Sequence, residues 1–252
     1  LTDCEYDDST NLTCAYFTRN GNNSYAMVDV LKAAINKAYS TNTLQTVNLT
    51  YSFIAFGGQY PIPGEGWRSA KGWDNIQDSL NTKAELKFEV HKSFLEWKNL
   101  FECMYPLVIV NFAPADGSTP NDTDIDWGRE QTTPTTGQLN NGFDKPLHPT
   151  VGDFRVAVNN RFVSYWGVTN LAGKYKAFSE NNNVWSYDEV NAFYTVELIT
   201  DEPYSVNQTS NIPGRSILDV MAHELGHIFG LIHSQGAGSP NAVSYTHLTL
   251  RR

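Results

Sequence analysis

The sequence predicts a mixed α/β (α+β) fold, because five segments have the composition of β-strands and three have the periodicity of α-helices. The chain has 252 residues, of which 40% are hydrophobic and 18% are charged. This composition is ordinary for a globular protein, and the length is enough to bury one sizeable core. We therefore expect a folded domain rather than a coiled coil, a collagen or a disordered chain.

The first half of the chain predicts two helices and two strands. A helix is predicted over residues 26–39, capped by Ser24, because apolar side chains recur at helical spacing: Met27, Leu31, Ala34, Ile35 and Ala38. Residues 47–56 are β-branched and aromatic and predict a strand, whereas glycines and prolines in 57–82 predict a long, irregular, partly packed loop. A second helix is predicted over 83–103, and an apolar strand over 106–113.

The second half predicts three strands and a last helix. Residues 114–150 are rich in Asp, Gly, Thr, Pro and Asn and predict a long loop, whose length favours function or ion binding. Strands are predicted over 153–158 and 193–199, and a weaker one over 171–178. The last helix is predicted over 213–231.

Charge and hydropathy exclude two classes of partner. The net charge is -9, and no cluster of Lys and Arg occurs. Phosphate backbones are bound by several convergent cations, so we expect no nucleic-acid partner. No stretch approaches the roughly 20 apolar residues that span a bilayer, so we expect no membrane span.

The three cysteines are too few for a disulfide scaffold and have no metal-binding spacing. Cys4 and Cys14 could close a small loop, which would leave Cys103 odd. Five N-x-S/T sequons occur. Because the chain is rich in Asn and Thr, about four are expected by chance, and the sequons are a weak indication of secretion. They begin at Asn11, Asn22, Asn48, Asn121 and Asn207.

The last predicted helix contains the pattern H-E-x-x-H-x-x-G-x-x-H, formed by His223, Glu224, His227, Gly230 and His233. On a helix the first two histidines lie about 40° apart and one turn from each other, so both imidazoles can reach one zinc ion. The glycine can adopt a left-handed conformation that ends the helix and returns the third histidine as a ligand. Three ligands leave one tetrahedral position open for water, which is typical of a catalytic zinc site.

The rest of this helix fits such a site. Ile217, Met221, Leu225 and Ile228 lie on the side opposite the histidines and predict the buried face. Glu224 follows the first histidine and is placed to act as a general base for the attacking water. Asp219 is either a partner for a histidine ring nitrogen or a first-turn charge at the positive end of the helix.

Other candidate ligands have simpler interpretations. His91 lies in the second predicted helix, where a surface or hydrogen-bonded histidine is expected, and His148 lies in the long loop, where a second metal site is the alternative. Residues 121–126 (NDTDID) and 179–183 (SENNN) could donate oxygens to calcium. Neither follows a full EF-hand register, which favours solvated loops.

The motif HELGHIFGLIHS, with Ser234 after the third histidine, resembles the metzincins, and among them the matrixin/serralysin-like zinc metalloendopeptidases. The resemblance covers about residues 46–243, although outside the zinc motif it is a resemblance of pattern only. The further segments are LTYSF (49–53), HKSFLEWKNL (91–100), LVIVNF followed by TDIDWG (123–128), GVTNLAGKY (167–175) and WSYDEVNAFYTVE (185–197).

The resemblance implies a twisted mixed β-sheet of about five strands, with a long helix behind it and a zinc-binding active-site helix. His223, His227 and His233 would hold Zn²⁺, and Glu224 would be the catalytic base that assists attack of water on a peptide bond. An extended substrate would lie along an edge strand at Leu171, Ala172 and Gly173. Calcium is a second candidate cation.

The chain departs from the family beyond Val243. Metzincins place a methionine in a tight turn below the zinc, and here Ser244 stands where that methionine belongs. We expect the authentic sequence to end near Val243, and residues 244–252 (SYTHLTLRR) to be foreign. The expected organisation is an N-terminal extension over 1–45, which is a pro-region remnant or a cap, and a truncated catalytic domain over 46–243.

The leading functional hypothesis is a secreted, extracellular, monomeric zinc metalloendopeptidase that acts on proteins or peptides. One alternative is a zinc-binding adhesion or binding module derived from a protease, with impaired catalysis because the methionine turn is missing. Another is a zinc hydrolase that acts on bonds other than peptide bonds. Retention of Glu224 argues against a purely binding role, since a structural zinc site has no use for a base.

Overall fold

The computed structural model describes residues 28–62, 66–73, 83–131, 134–141, 143–159, 167–170, 177–190, 194–199 and 216–230. These residues form a mixed α/β structure. The helices are α1 (Asp29–Thr41), α2 (Lys83–Met104), α3 (Thr136–Asn141) and α4 (Ile217–Ile228). The strands are β1 (Gln45–Phe53), β2 (Gln59–Ile62), β3 (Gly66–Ser69), β4 (Val108–Pro114), β5 (Phe143–Asp144), β6 (Phe154–Asn159), β7 (Gly167–Asn170), β8 (Phe178–Asn181), β9 (Val184–Tyr187), β10 (Glu189–Val190) and β11 (Thr195–Ile199).

A mixed sheet of seven strands is the centre of the described structure, with the order β7-β11-β6-β1-β9-β8 and β4 paired to β1. Strands β4, β6 and β9 run parallel to β1, and β11 runs parallel to β6. Strands β7 and β8 are antiparallel to their partners. The mixed α/β class is therefore confirmed, but the expected number of about five strands was too low, since the β8–β9 hairpin was not predicted.

Helices α1, α2 and α4 cover one face of this sheet. In β1 the side chains of Val47, Leu49, Tyr51 and Phe53 join one core with residues of α1, α2 and α4, and up to Tyr51 they alternate with less buried residues. The Tyr51 ring stacks on Phe94 of α2 at a centroid distance of 4.5 Å. The apolar residues at every second position of β1 thus form the face that the helices bury.

The predicted helices at 83–103 and 213–231 correspond to α2 and α4, and the helix predicted over 26–39 begins three residues later, at Asp29. Its predicted cap, Ser24, lies outside the described residues. Helix α1 contributes Val30, Leu31, Ala34 and Ala38 to the same core as the sheet. The helix of the expected N-terminal extension therefore packs on the sheet directly. None of the described helices is long and apolar enough to cross a membrane.

The prediction of an irregular loop over 57–82 was wrong in part, because β2 and β3 form an antiparallel hairpin within it. Pro61 lies inside β2, opposite Trp67. A proline is tolerated in such a two-stranded edge arrangement, but it lowers the strand propensity on which sequence analysis depends. Tyr60 and Ile62 of the hairpin pack on the sheet face opposite the helices, with Ala157 of β6 and Val168 of β7.

Two other predicted segments differ from the structure. The expected loop 114–150 also contains the short elements α3 and β5. The weak strand predicted over 171–178 lies mostly outside the described residues; its last residue, Phe178, begins β8, and the antiparallel strand at the sheet edge is β7, at 167–170. Strand β7 has only four residues and begins with a glycine, so its hydrophobic pattern is too short to predict a strand.

Cys103, near the end of α2, is disulfide-bonded. The possibility that Cys103 is left unpaired by a Cys4–Cys14 loop is therefore excluded. Cysteine spacing alone does not reveal connectivity, because it says nothing of which residues the fold brings together.

A buried ion pair joins the sheet to the segment that follows β4. Arg155 of β6 donates from Nε and Nη2 to the two carboxylate oxygens of Glu130, at 2.7 and 2.8 Å, and both residues are almost fully buried. The same carboxylate accepts from Ser52 of β1, and Arg155 Nη1 donates to the carbonyl of Gln59. This one ion pair therefore connects β6 with β1, with β2 and with the segment that follows β4.

We predict that Arg155→Met lowers the free energy of unfolding by about 3–5 kcal/mol, because Glu130 would be left buried without its counter-charge. Urea denaturation measures this loss. Arg129→Met is the matched control, because Arg129 is exposed and its pair with Asp126 is a surface contact at 3.4 Å; it should change stability by less than about 0.5 kcal/mol. Equal effects of the two substitutions would contradict the assigned role of Arg155.

Candidate zinc site on the last helix

Helix α4 is fixed to α2 by hydrogen bonds as well as by apolar contacts. Trp97 Nε1 donates to the carbonyl oxygen of Ala222 at 2.9 Å, and Ser93 Oγ donates to that of Leu218 at 3.0 Å. At the end of α4 the Phe229 ring contacts Trp97 and Phe101 at centroid distances of 4.9 and 4.8 Å. The predicted apolar residues are buried as expected: Ile217, Met221, Leu225 and Ile228.

The two histidines of α4 lie side by side and half-buried, as their spacing predicts. Their Nε2 atoms are 3.1 Å apart, and the ring planes are nearly perpendicular, at 87°. Two nitrogens that each lie about 2.0–2.1 Å from a tetrahedral zinc ion are about 3.3–3.4 Å apart. His223 and His227 therefore have a separation that fits two ligands of one ion, although it also accommodates an N–H···N hydrogen bond between the rings.

Gly230 has φ of 97°, and its amide donates to the carbonyl oxygen of His227. The predicted positive-φ glycine at the end of the helix is confirmed. The third predicted ligand, His233, lies outside the described residues, as do Leu171, Ala172 and Gly173. Among the described residues no group of three His, Cys, Asp or Glu side chains could hold a metal ion, so the described part of the site is the histidine pair.

Glu224 points to edge strand β7. Its side chain is buried, with 6% exposure, and Oε2 accepts a hydrogen bond from Thr169 Oγ1 at 2.5 Å. The same hydroxyl lies 3.0 Å from the backbone oxygen of Glu224. Burial raises the pKa of Glu224 from 4.5 to about 7, since an apolar environment disfavours the carboxylate, while the bond from Thr169 acts in the opposite direction. A carboxyl group of this pKa can both accept and donate a proton near neutral pH.

Gly167 lets β7 approach α4 closely. Side chains alternate along the strand, so Gly167 and Thr169 face the helix while Val168 packs with the β2–β3 hairpin. A Cβ atom at position 167 would lie 3.0 Å from Glu224 Cγ and 3.1 Å from Val220 Cγ1. The absence of a side chain at this position is therefore what allows the strand to pack on Glu224.

Of the other described histidines, His91 has the hydrogen-bonded role that was expected, and the alternative of a second metal site at His148 stays a prediction. His91 of α2 forms a hydrogen bond of 2.8 Å between Nδ1 and the Tyr51 hydroxyl, and burial lowers its pKa. His148 is half-buried, and its Nε2 lies 3.4 Å from Gln138 Nε2. Asp219 lies in the first turn of α4.

The two candidate calcium segments form local turns. In 121–126, the side chains of Asn121 and Asp124 accept hydrogen bonds from the backbone N–H groups two residues ahead. The Lys87 ammonium group donates hydrogen bonds to the carbonyl oxygens of Ile125 and Trp127. Residues 179–183 contain the turn of the β8–β9 hairpin, with Asn182 and Asn183 at positive φ. A calcium site remains a prediction for both segments.

The two β7 residues beside Glu224 were not predicted as site residues. Thr169 and Gly167 stand in the segment GVTN, which was recognised only as part of an expected edge strand. A glycine and a hydroxyl residue on the same face of that strand were the available indication. No protein-family model matches the chain, and a comparison with curated proteins finds no match.

The raised pKa of Glu224 predicts a pH dependence of stability in protein from which metal has been removed. The folded pKa, about 7, lies above the ordinary 4.5. Between pH 4.5 and pH 7 the folded state therefore binds more protons than the unfolded state. The contribution of Glu224 to stability is fully present below pH 4.5 and is lost as pH rises through 7. Relative to Glu224→Gln, wild type should lose about 2 kcal/mol between pH 5 and pH 7.5 in urea denaturation with chelator present. A difference that does not change with pH would contradict the burial of this carboxyl group.

The close approach at Gly167 predicts that Gly167→Ala lowers the free energy of unfolding by about 1–3 kcal/mol, because Glu224 and Val220 would have to move. Gly137→Ala in α3 is the matched control, since a Cβ atom there would meet no atom within 4 Å. This control should be neutral or slightly stabilising. Thermal or urea denaturation of both variants would test the packing, and an unaffected Gly167→Ala protein would show that β7 does not rest on α4.

Proposed function

We propose that this protein is a zinc-dependent metalloendopeptidase of the metzincin type, similar to the matrixin/serralysin-like branch. The observation that carries the proposal is the arrangement on α4, where two histidine Nε2 atoms lie 3.1 Å apart and a buried glutamate follows the first of them. A separation of this size suits a shared ion, and the intervening glutamate suits a proton-transfer role.

The residues that would hold zinc are His223, His227 and, from the sequence pattern, His233. When bound there, zinc would polarise the peptide carbonyl and lower the pKa of water. Neutral imidazole is a preferred ligand of this ion, and half-buried rings on a rigid helix lose little entropy on binding it.

Glu224 would act as the general base and then the general acid of peptide hydrolysis. It would accept a proton from the attacking water and deliver it to the amine that leaves. The side chain is held on a helix that is itself hydrogen-bonded to α2, and catalysis by proton transfer depends on such fixed geometry. Its pKa, near 7, matches a group that must carry out both transfers at neutral pH.

The substrate would be a protein or peptide segment in extended conformation. Strand β7 is at the end of the strand order of the described sheet and packs beside Glu224. An extended peptide can add to such an edge by main-chain hydrogen bonds, which recognise the backbone rather than a particular side chain. The predicted contact residues, Leu171, Ala172 and Gly173, directly continue this strand in the sequence.

Secretion is supported by the disulfide at Cys103, because disulfides persist in oxidising compartments and are rare in the cytosol. The sequon at Asn121 lies in an exposed loop and is compatible with the same environment. We therefore propose an extracellular protease.

The proposal predicts that the purified protein binds about one zinc ion per chain and cleaves a denatured protein substrate. Glu224→Gln should keep the zinc and lose about 10²–10⁴-fold in kcat, because the base is removed and the ligands are retained. His227→Ala should lose most of the zinc, and His148→Ala, a histidine outside α4, should retain it. Metal analysis and a proteolysis assay with and without chelator measure both effects.

Equal proteolysis by wild type and Glu224→Gln would contradict the mechanism. A wild-type protein that holds zinc in the histidine pair but cleaves no substrate would favour the alternative of a binding module. Zinc retained by His227→Ala at the wild-type level would exclude the helix as its site.

A further inference from the structure

We propose that Thr169 is a positioning residue for Glu224. Its hydroxyl group holds the glutamate side chain against β7, in the orientation that proton transfer to and from a substrate on this strand edge needs. The inference rests on the proposed function for its catalytic consequence, but the contact itself belongs to the fold.

One hydroxyl group contacts Glu224 at two points. Thr169 Oγ1 lies 2.5 Å from Oε2 and 3.0 Å from the backbone oxygen of the same residue. The first distance is typical of a strong hydrogen bond to a carboxyl group. The two oxygens share the single proton of this hydroxyl, and their common proximity to it restrains the end of the Glu224 side chain relative to its own helix.

Packing restrains the rest of the side chain. Gly167, two residues earlier on the same face of β7, leaves just enough room for Glu224, since a Cβ there would lie 3.0 Å from Cγ and 3.1 Å from Oε1. Thr169 and Glu224 are 7% and 6% exposed, so water hardly competes for their hydrogen bond. Cγ and Oε1 of Glu224 therefore lie against the strand backbone at Gly167, and Oε2 is held by the Thr169 hydroxyl.

A general base must lie within hydrogen-bond reach of the proton that it removes, and a displacement of about 1 Å can cost about 100-fold in rate. Edge strand β7 carries Thr169 and, in the proposed function, also aligns the substrate. The same strand would therefore set the positions of both the peptide and the base, which couples peptide binding to the geometry of proton transfer.

The test compares Thr169→Val, which replaces the hydroxyl by a methyl of similar size, with Thr169→Ser, which keeps the hydroxyl. Thr169→Val should lower kcat by about 10–100-fold with KM changed by less than about threefold, and the zinc content should remain as in wild type. Thr169→Ser should restore kcat to within about threefold of wild type. Undiminished kcat in Thr169→Val, or an equal loss in both variants, would overturn the proposal.

A second measurement is independent of turnover. Thr169→Val should lower the urea midpoint by about 0.5 M in the wild-type background, and by clearly less when Glu224 has been replaced by alanine, because the hydroxyl then keeps only its contact with the backbone oxygen of residue 224. The same shift in both backgrounds would show that Thr169 stabilises the fold without the Glu224 side chain, for example through the backbone oxygen of residue 224, and would overturn the assigned contact. A wild-type protein without proteolytic activity would overturn the proposed function, and the midpoint comparison would still decide whether Thr169 holds this glutamate.

Discussion

The site depends on the packing of helix α4 between α2 on one side and edge strand β7 on the other. Two side chains of α2, Trp97 and Ser93, donate hydrogen bonds to backbone oxygens of α4 that are four residues apart. These bonds fix both the position and the rotation of the helix, since a turn about its axis would break them. The apolar face then meets the sheet, and the opposite arc carries the histidines.

Because the rotation of α4 is fixed, the side chains of the candidate site have defined surroundings. The histidine pair is half-buried with its Nε2 atoms 3.1 Å apart, and Glu224 is directed to β7. The glycine at position 167 permits this contact and the hydroxyl of Thr169 secures it. Packing of this kind lets a carboxyl group of raised pKa persist in the folded state, at a cost in stability above neutral pH.

Much of the local structure was predictable because it depends on periodicity. The spacing of His223 and His227 alone puts them on one side of a helix, and alternation in β1 identifies its buried face. Contacts between distant segments were not predictable in this way. Thr169 and Glu224 are 55 positions apart in the chain, and the disulfide of Cys103 likewise depends on which residues the fold brings together. The β2–β3 hairpin is local, but its internal proline disfavours a strand, so its formation depends on tertiary context.

The proposed function requires that the histidine pair of α4 holds zinc. Anomalous diffraction at the zinc absorption edge, from crystals of the full chain grown with zinc, tests it most directly. We expect one strong peak about 2.0–2.1 Å from the Nε2 atoms of both His223 and His227. The absence of a peak between these atoms while zinc is bound elsewhere in the protein, or a hydrogen bond joining the two rings in the presence of excess zinc, would contradict it.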